Sequence, residues 1–373
     1  MKKRKRKILL VIGTRPEAIK MAPVLKELEK ERHHFETKLC ATGQHSEMLN
    51  HVLDLFELIP DYNLGLMQPS QTLDCLTSKT IIAFNSVFKE FNPECVLVQG
   101  DTTTAMACAL SAFYQKVSVG HVEAGLRTNN IYFPFPEEMN RRLISQMTTY
   151  HFAPTQTAVE ALLSESINND KILLTGNTVI DSLYWVSKNK ARLPENFELN
   201  NRKMILVTAH RRENWGPPLK EICDSILELK KSYSDIEFVY PVHRNPNVWN
   251  TVHEKLAGNE RIHLLPPVRY DVLVGLMQHS YLILTDSGGI QEEAPALGKP
   301  VLVLRNETER PEAVNAGVVK LVGANKKSIL MSLSALLSND KLYKKMSIKI
   351  SPYGDGHAAK RIVSFLKKNM LIK

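Results

Sequence analysis

Three small residues and two glutamates lie close together in the stretch LTDSGGIQEEAP, residues 284–295. The apolar run before this turn predicts a strand, and a helix-like segment begins at Ile290. Ser287, Gly288 and Gly289 therefore fall at the start of a helix, where free backbone N–H groups and the helix dipole favour an anion such as phosphate. Small residues also occur there simply because they allow a tight turn.

Glu292 and Glu293 follow in the first turns of the same predicted helix. A carboxylate at this place can accept hydrogen bonds from both hydroxyls of a ribose, so one helix would hold a phosphate and a ribose together. The stretch therefore predicts a nucleotide site. The alternative is that both glutamates only complement the positive end of the helix.

A second turn of this kind, GTRPEAIK at residues 13–20, follows the first predicted strand. Pro16 suits the first turn of a helix. We expect Arg15 to act as a bidentate donor to phosphate, whereas Lys20 could equally be a surface lysine. The spacing is not GxGxxG, so the nicotinamide fingerprint is missing and no nicotinamide cofactor is expected.

Acidic residues follow two further apolar runs and precede a helix. Asp101 lies in VQGDTTT, Glu123 in HVEAGLR and Glu137 in PEEMNRR, where Glu138 is the alternative member of the pair. Carboxylates at strand ends are candidates for proton transfer. Single acids at such positions are also common as helix caps.

The motif TAHRREN places His210, Arg211 and Arg212 directly after another apolar run. A histidine beside arginines suits a pyrophosphate that leaves and returns during a reaction. The sequence contains neither a DxD pair nor HExxH spacing, so no essential metal is expected.

Short apolar runs alternate with amphipathic segments along the whole chain. Six runs precede the polar interval Ser187 to Lys203 and six follow it: ILLVIG, TKLCATG, CVLVQG, VSVGHVEAG, YHFAPT and ILLTGN, then MILVTAH, EFVYPVH, IHLLPP, YLILTD, PVLVLR and VKLVG. This pattern predicts buried parallel strands between helices. We therefore expect two doubly wound α/β domains joined by a polar linker, with ligands at the carboxyl ends of the strands, in a cleft between the domains.

Length and composition are compatible with that organisation. A chain of 373 residues exceeds one ordinary core, and 43% hydrophobic with 23% charged residues indicates a globular protein. Six of the positive charges behind the formal net charge of +9 lie in the opening MKKRKRK, so a solvated tail is favoured over a nucleic-acid partner. We expect no membrane span, no CxxC metal or redox site among the five cysteines, and a cytoplasmic protein.

In order along the chain, the motifs GTRPEAIKMAP, GDTTT, HVEAGLRT, PEEMNR, TGNTVID, TAHRREN, LTDSGGIQEEAP, TERPEA and SPYGDGHAA resemble the non-hydrolysing UDP-N-acetylglucosamine 2-epimerases. The resemblance runs from Lys7 to about Leu366. It implies two Rossmann-like domains facing a cleft, which is the glycosyltransferase-B architecture, and a homodimer. We expect an N-terminal domain with the acids over residues 1–180 and a UDP-binding domain over 200–352. A C-terminal helix over 353–373 is expected to cross back to the first domain.

The implied reaction interconverts UDP-N-acetylglucosamine and UDP-N-acetylmannosamine. UDP leaves sugar C1, the C2 proton is lost to give 2-acetamidoglucal, and UDP adds back after protonation of the other face. Neither nicotinamide nor metal is implied. The resemblance assigns residues to two groups. The catalytic group comprises Asp101, Glu123, Glu137 and His210, and the UDP or substrate group comprises Arg15, Lys20, Arg212, Ser287, Gly288, Gly289, Glu293 and Arg310.

Some members of this family bind a second UDP-N-acetylglucosamine beside the active site as an activator. The matching positions here include Gln44, Gln71, Glu137, Arg211 and His243. Glu47 and Ser70 stand where activated relatives have a Gln and an Arg, so the activation itself stays open.

Three alternative functions share the UDP site. A hydrolysing 2-epimerase would release free N-acetylmannosamine, although the PEEMNR and TAHRREN motifs favour the non-hydrolysing type. A glycosyltransferase of the same architecture would not need three acids near sugar C2. A non-catalytic nucleotide-sugar sensor would be expected to lack at least one of those acids, and the sequence keeps all three.

Overall fold

The structure is a computed structural model that describes residues 4–43, 47–68, 70–195, 197–198 and 201–371. Its contacts divide the chain into two compact units. Unit 1 comprises residues 1–184 and 353–373, and unit 2 comprises residues 185–352. The chain therefore leaves unit 1 after residue 184 and returns to it at residue 353.

Unit 1 alternates strands and helices. Its strands are β1 (Arg6–Ile12), β2 (Phe35–Ala41), β3 (Tyr62–Asn63), β4 (Cys95–Gln99), β5 (Ser118–Val122), β6 (Tyr150–Ala153) and β7 (Ile172–Leu174). Its helices are α1 (Arg15–Lys30), α2 (Glu47–Leu55), α3 (Leu73–Phe91), α4 (Thr103–Tyr114), α5 (Glu137–Met147), α6 (Gln156–Ser164) and α7 (Thr178–Asn189), which ends in unit 2, with the final helix α15 (Ala358–Leu371).

The strands of unit 1 form one sheet in the order β3-β2-β1-β4-β5-β6-β7. All of its strand pairs are parallel. The central strands are buried on both faces because helices cover them, and this is why they read as continuous apolar runs. The six strands predicted for this half of the chain are confirmed, and the two-residue edge strand β3 is the addition.

Unit 2 repeats the alternation. Its strands are β8 (Lys203–Thr208), β9 (Ile236–Pro241), β10 (Ile262–Leu265), β11 (Leu282–Thr285), β12 (Val301–Val303) and β13 (Val319–Leu321). Its helices are α8 (Pro217–Ser232), α9 (Pro246–Leu256), α10 (Tyr270–His279), α11 (Gly288–Ala296), α12 (Pro311–Asn315), α13 (Lys326–Ser338) and α14 (Asp340–Met346).

The unit 2 strands form a parallel sheet in the order β10-β9-β8-β11-β12-β13. In both units the chain starts in the middle of the sheet, winds to one edge, and then returns to build the other half. Such a strand order is that of a doubly wound Rossmann-like domain. The predicted fold class of two Rossmann-like α/β domains is confirmed, as are the six strands predicted for the second half.

Two boundaries differ from the predicted ones. Helix α11 begins at Gly288 rather than Ile290, so two of the three small residues lie in its first turn. The polar interval Ser187 to Lys203 starts within α7 and ends at the first residue of β8. Glycine weakens a helix signal in a sequence without preventing the helix.

The last helix, α15, packs against α1 in unit 1. Its first N–H groups donate to the Asp181 carboxylate, from Ala358 at 3.2 Å and from Ala359 at 2.9 Å. Burial raises the pKa of Asp181 to about 6 in spite of these donors. A helix from the far end of the chain thus completes the unit that the chain began.

Over the described ranges, no helix combines the length and the apolar character that crossing a membrane requires. All five cysteines are free thiols.

Candidate functional site

The carboxylate of Glu123 lies just beyond β5 and is held by three side chains. Lys20 Nζ contacts its two oxygens at 2.6 and 2.7 Å, Asn177 Nδ2 donates to Oε1 at 3.0 Å, and Gln99 Nε2 donates to Oε2. These side chains come from α1, from the turn before α7 and from the neighbouring strand β4. Glu123 is 7% exposed, so its carboxylate is a preorganised and nearly buried group.

The backbone of Glu123 adopts a left-handed φ of 65°. This conformation is uncommon for a residue with a side chain, and it persists where the surroundings fix it. Here the fixed carboxylate supplies that constraint. Lys20, which the sequence left between a substrate ligand and a surface lysine, is a largely buried partner of Glu123 with 12% side-chain exposure.

Asp101 follows β4 and is paired with Arg141 of α5. The guanidinium contacts Oδ2 through Nε at 2.9 Å and through Nη2 at 2.6 Å, while Asn140 Nδ2 donates to the Asp101 carbonyl at 2.8 Å. The Asp101 side chain keeps 28% exposure. A cation thus fixes this acid without covering it.

The two glutamates at the start of helix α5 have different surroundings. Glu138 is fully buried and accepts from Arg141 at 3.1 Å, Arg142 at 3.2 Å and the Thr128 N–H at 3.0 Å. Glu137 is half-buried, and among the described residues its Oε2 has no hydrogen-bond partner. Glu138 is therefore committed to the fold, and Glu137 is the member of the pair that could act on a ligand.

The turn after β1 is fixed by Glu17, which the sequence reasoning did not single out. Its carboxylate accepts from Gly13 N at 2.9 Å, Thr14 N at 2.6 Å and the Thr102 hydroxyl at 2.8 Å. Burial raises the pKa of Glu17. The Thr14-x-x-Glu17 capping box was the signal available for it. Arg15 is exposed beside this turn, 3.5 Å from the Met48 sulfur.

In unit 2, Ser287 occupies the N-cap of α11, yet its side chain makes no capping hydrogen bond. Its N–H donates to Thr285 Oγ1 at 2.9 Å. A β-carbon on Gly288 would lie 2.6 Å from Arg310 Nη1, whereas one on Gly289 would meet nothing nearer than Glu293 Oε2 at 3.6 Å. Gly288 is therefore required by the guanidinium that packs on it.

Carboxylates hold that guanidinium. Arg310 donates through Nε to Glu292 at 2.6 Å and through Nη1 to Glu309, which also accepts from Arg305 at 2.9 Å. Burial would raise the pKa of Glu309, but Arg310 and Arg305 hold it at about 2. Arg310 thus lies at the start of α11 in a fixed orientation, where a phosphate could bind.

The two glutamates of α11 have different partners. Glu292 forms an ion pair with Arg310, whereas Glu293 Oε1 accepts a hydrogen bond from the hydroxyl of Tyr270. Burial and the nearby Glu293 charge raise the pKa of Tyr270 well above its ordinary value, so the phenol stays a donor. Of the two, Glu293 is the candidate for a ribose, since Glu292 is engaged in an ion pair.

His210 lies beyond β8 with 41% side-chain exposure and stacks on His243 at a ring distance of 5.5 Å. Its Nδ1 is 3.4 Å from Asp286 Oδ1. Burial, and next the Arg305 charge, lower the pKa of Arg211. Arg212 is exposed, with its guanidinium 5.9 Å from the centre of the Trp215 ring.

The predicted second site is only partly described. Gln44 and the side chain of Glu47 lie outside the described residues. Gln71 accepts from the Gln68 N–H at 3.2 Å, and Ser70 is exposed with a φ of 57°. These residues belong to unit 1, whereas Arg211 and His243 belong to unit 2.

The structure therefore brings predicted residues together within each unit. Lys20 joins Glu123 in unit 1, and Arg310 joins Gly288 in unit 2. The sequence reasoning missed the side chains that contact the predicted residues, which are Gln99, Asn177, Arg141, Tyr270 and Asp286. All of these except Tyr270 lie inside motifs that were recognised, so position in a motif was the available signal. Among the residues described, no group of three or more His, Cys, Asp or Glu could hold a metal ion.

Comparison with known proteins agrees with the motifs. The family model described as UDP-N-acetylglucosamine 2-epimerase matches residues 26–367. The UDP-N-acetylglucosamine 2-epimerase of Escherichia coli K12 is 50% identical over 374 residues, which covers 98% of this chain and 99% of that protein.

Solved structures are similar over the same length. The crystal structure of UDP-GlcNAc 2-epimerase from Neisseria meningitidis bound to UDP-GlcNAc matches with a TM-score of 0.90 and 51% identity, covering 97% of this chain and 100% of that one. MurG from Acinetobacter baumannii, with 13% identity and a TM-score of 0.62, covers 98% of this chain and 100% of its own and shares the fold alone. The resemblance carried by the motifs is confirmed, and this chain belongs to the UDP-N-acetylglucosamine 2-epimerase family of isomerases.

Proposed function

We propose that this protein is a non-hydrolysing UDP-N-acetylglucosamine 2-epimerase that interconverts UDP-N-acetylglucosamine and UDP-N-acetylmannosamine. Family membership supports the substrate, because the crystal structure of the relative from Neisseria meningitidis, 51% identical to this chain, contains bound UDP-GlcNAc. The observation that carries the proposal is the Glu123 carboxylate, which Lys20, Gln99 and Asn177 hold at the end of β5. A fixed, nearly buried acid suits proton transfer at carbon.

The proposed route is elimination followed by re-addition. The C1–O bond breaks with its electron pair leaving on UDP, and a carboxylate takes the C2 proton as the C1–C2 double bond of 2-acetamidoglucal forms. Protonation of the opposite face and return of UDP complete the epimerisation. The route is redox-neutral and moves only protons and UDP, so we propose that neither nicotinamide nor metal takes part.

We propose that the three acids of unit 1 form the proton-transfer set. Glu123 and Asp101 are fixed by Lys20 and Arg141, and the buried Oε2 of Glu137 has no hydrogen-bond partner among the described residues. Two faces of C2 must exchange protons, so at least two groups are needed.

We propose that unit 2 binds UDP. The start of α11 would hold the diphosphate through the N–H groups of Gly288 and Gly289 and the hydroxyl of Ser287, whose own N–H donates to Thr285, with Arg310 beside them. Glu293 would accept from the ribose. His210 and Arg212 would stabilise the charge on departing UDP. Arg15 stays a predicted phosphate donor.

We propose a homodimer that works in the cytoplasm. Helices α3, α4 and α5 pack side by side in unit 1, and large apolar side chains on them are exposed, among them Ile82 at 68%, Phe113 at 56% and Leu143 at 44%. Apolar surface of this kind is typical of an interface between subunits. Sedimentation of Phe113→Lys, compared with the natural chain, tests the dimer, and an unchanged dimer would remove Phe113 from the interface.

The cytoplasm is proposed from the cysteines. All five are free thiols, which fits a reducing compartment.

A second nucleotide-sugar site remains a prediction. Rate measurements over a range of UDP-N-acetylglucosamine concentrations test it. A sigmoidal curve would support activation by a second molecule, and a hyperbolic curve would count against it.

The function itself is tested by proton NMR of the purified protein with UDP-N-acetylglucosamine in D₂O, without added metal or nicotinamide. We expect UDP-N-acetylmannosamine to appear with deuterium at C2. Free N-acetylmannosamine with UDP would identify a hydrolysing enzyme instead. An unchanged spectrum despite bound nucleotide would favour a sensor or a transferase.

A further inference from the structure

Asp286 is a buried carboxylate just after β11. It is 0% exposed. Its Oδ2 accepts three hydrogen bonds, from the His210 N–H at 2.8 Å, the Arg211 N–H at 2.8 Å and Asn214 Nδ2 at 3.0 Å. One oxygen thus anchors the backbone of the segment that carries His210.

The other oxygen faces the His210 ring. Among the described residues Asp286 Oδ1 takes no hydrogen bond, and it lies 3.4 Å from His210 Nδ1. Tyr240 is close enough to interact electrostatically with Asp286, but its hydroxyl donates to the Ala209 carbonyl at 2.7 Å. The ring nitrogen of His210 is therefore the described group placed to complement Oδ1.

A buried carboxylate oxygen is costly unless a donor or a positive charge compensates it. A proton on Nδ1 of His210 provides that compensation, and stacking on His243 with an angle of 14° between the rings limits rotation of the imidazole. Nδ1 is the ring nitrogen that the structure places beside Asp286, so a diphosphate would contact His210 through Nε2.

We propose that Asp286 is a positioning residue for His210. The charge on Oδ1 stabilises the doubly protonated ring with Nδ1 towards Asp286, so that the second proton, on Nε2, makes a hydrogen bond to the diphosphate oxygen that gains charge as the C1–O bond breaks. The inference rests on the proposed function. The two oxygens of Asp286 then have separate tasks. Oδ2 fixes the backbone after β8, and Oδ1 fixes the imidazole.

Asp286→Asn separates these tasks. The three donors at the Oδ2 position require an oxygen there, so the amide oxygen of Asn must take it. The amide NH₂ is then forced to the Oδ1 position, where it donates to Nδ1. The backbone anchor is kept, but His210 must place its proton on Nε2 and loses the negative charge that favours the doubly protonated ring.

We expect Asp286→Asn to lower kcat by about 10²-fold or more, with a much smaller change in KM, because the charge on UDP develops in the transition state. In the His210→Asn background the same substitution should lower kcat no further, since Asp286 acts through His210. The matched control is Asn214→Ala, which removes one donor to Oδ2 and leaves Oδ1 and the ring in place. It should lower the unfolding midpoint with only a small change in kcat.

Nitrogen-15 NMR of histidine-labelled protein provides a readout that does not depend on turnover. His210→Asn identifies the His210 signals, which should show both ring nitrogens protonated in the natural chain and only Nε2 protonated in Asp286→Asn. Equal kcat losses in Asp286→Asn and Asn214→Ala, or the same protonation of the His210 ring in the natural chain and in Asp286→Asn, would overturn the inference. If the natural chain does not epimerise, the proposed function fails while the nitrogen spectra still decide the Asp286–His210 contact.

Discussion

In unit 1 the candidate acids are held by cations, whereas in unit 2 the candidate cations are held by acids. Lys20 contacts Glu123 and Arg141 contacts Asp101. In unit 2, Glu292 and Glu309 hold Arg310, and Asp286 faces His210. Two sheets with the same kind of strand order therefore present groups of opposite charge.

In the reaction that we propose, this difference would separate proton transfer from the binding of UDP. A carboxylate fixed by a cation suits proton transfer, because its position is set before the substrate binds. A guanidinium or imidazole fixed by carboxylates suits an anion, because its donors are already oriented. We therefore predict that loss of an acid of unit 1 impairs chemistry with UDP binding kept. Loss of the anion site at the start of α11 should impair UDP binding, whereas Asp286 and His210 of unit 2 should affect the departure of UDP.

The largest expected effect is that of Glu123→Gln. The amide cannot take the C2 proton, so kcat should fall by about 10²- to 10⁴-fold, and Asp101→Asn should behave in the same way. Calorimetric titration with UDP should show an affinity close to that of the natural chain. Glu160→Gln, the same chemical change on the surface of unit 1, is the control. Near-normal turnover in both acid variants would remove them from the mechanism.

Acid should unfold unit 1 before unit 2, since the fully buried histidines among the described residues are in unit 1. Burial lowers the pKa of His121 to about 4 and that of His151 to about 3. The unfolded chain binds protons below about pH 6.5 and the folded chain does not, so stability falls as the pH drops from about 6.5 to 4. Together the pair should contribute about 2.7 kcal/mol per pH unit.

The three tryptophans, Trp185, Trp215 and Trp249, lie in unit 2 and allow the two units to be followed separately. As the pH is lowered, circular dichroism, which reports on both units, should begin to change at a higher pH than tryptophan fluorescence, which reports on unit 2. His151→Leu should reduce the acid sensitivity by about half, because one of the two protonations is removed. The exposed His33→Gln should not alter it. Simultaneous loss of both signals in every variant would contradict the prediction.

Gly288→Ala should weaken the cation network of unit 2. Its new β-carbon would lie 2.6 Å from Arg310 Nη1, so the guanidinium must move and its contact with Glu292 is strained. We expect a loss of about 1–3 kcal/mol in the free energy of unfolding, measured in urea by tryptophan fluorescence. Gly289→Ala is the matched control, since its nearest neighbour is an ordinary contact at 3.6 Å. Equal losses in the two variants would argue against a packed guanidinium.

The smallest effects should come from the two N-caps. Thr14 completes a capping box, so Thr14→Ala should lower the free energy of unfolding by about 1 kcal/mol. Ser287 makes no side-chain cap, so Ser287→Ala should change stability less than that but weaken UDP binding about tenfold. Chemical denaturation of both variants measures the free energy of unfolding, and calorimetric titration measures their affinity for UDP. An unaltered UDP affinity in Ser287→Ala would leave the backbone alone as the anion site.

Much of the fold could be predicted because buried parallel strands read as apolar runs. Strand β3 could not, since two residues at an edge carry no periodic signal. The start of α11 was predicted too late because glycines in the first turn hide a helix.

The sequence predicted which residues belong to the site, but not which side chains contact each other. Glu123 and Asp101 stood out because they follow strands. Their partners depend on which strands become neighbours, and the order β1-β4-β5 is set by a crossover that local sequence does not encode. The same limit applies to Glu292 and Glu293, since only the three-dimensional structure shows which of them meets Arg310.

The return of the chain to unit 1 bears on how the protein is made. Unit 2 is an insertion, and all of its residues leave the ribosome before α15 does. Asn177, which holds Glu123, also donates its backbone N–H to the Tyr353 carbonyl at 2.5 Å, across that insertion. Unit 1, whose synthesis starts first, is thus finished last, and a nascent chain would hold a complete unit 2 before the residues around Glu123 are assembled.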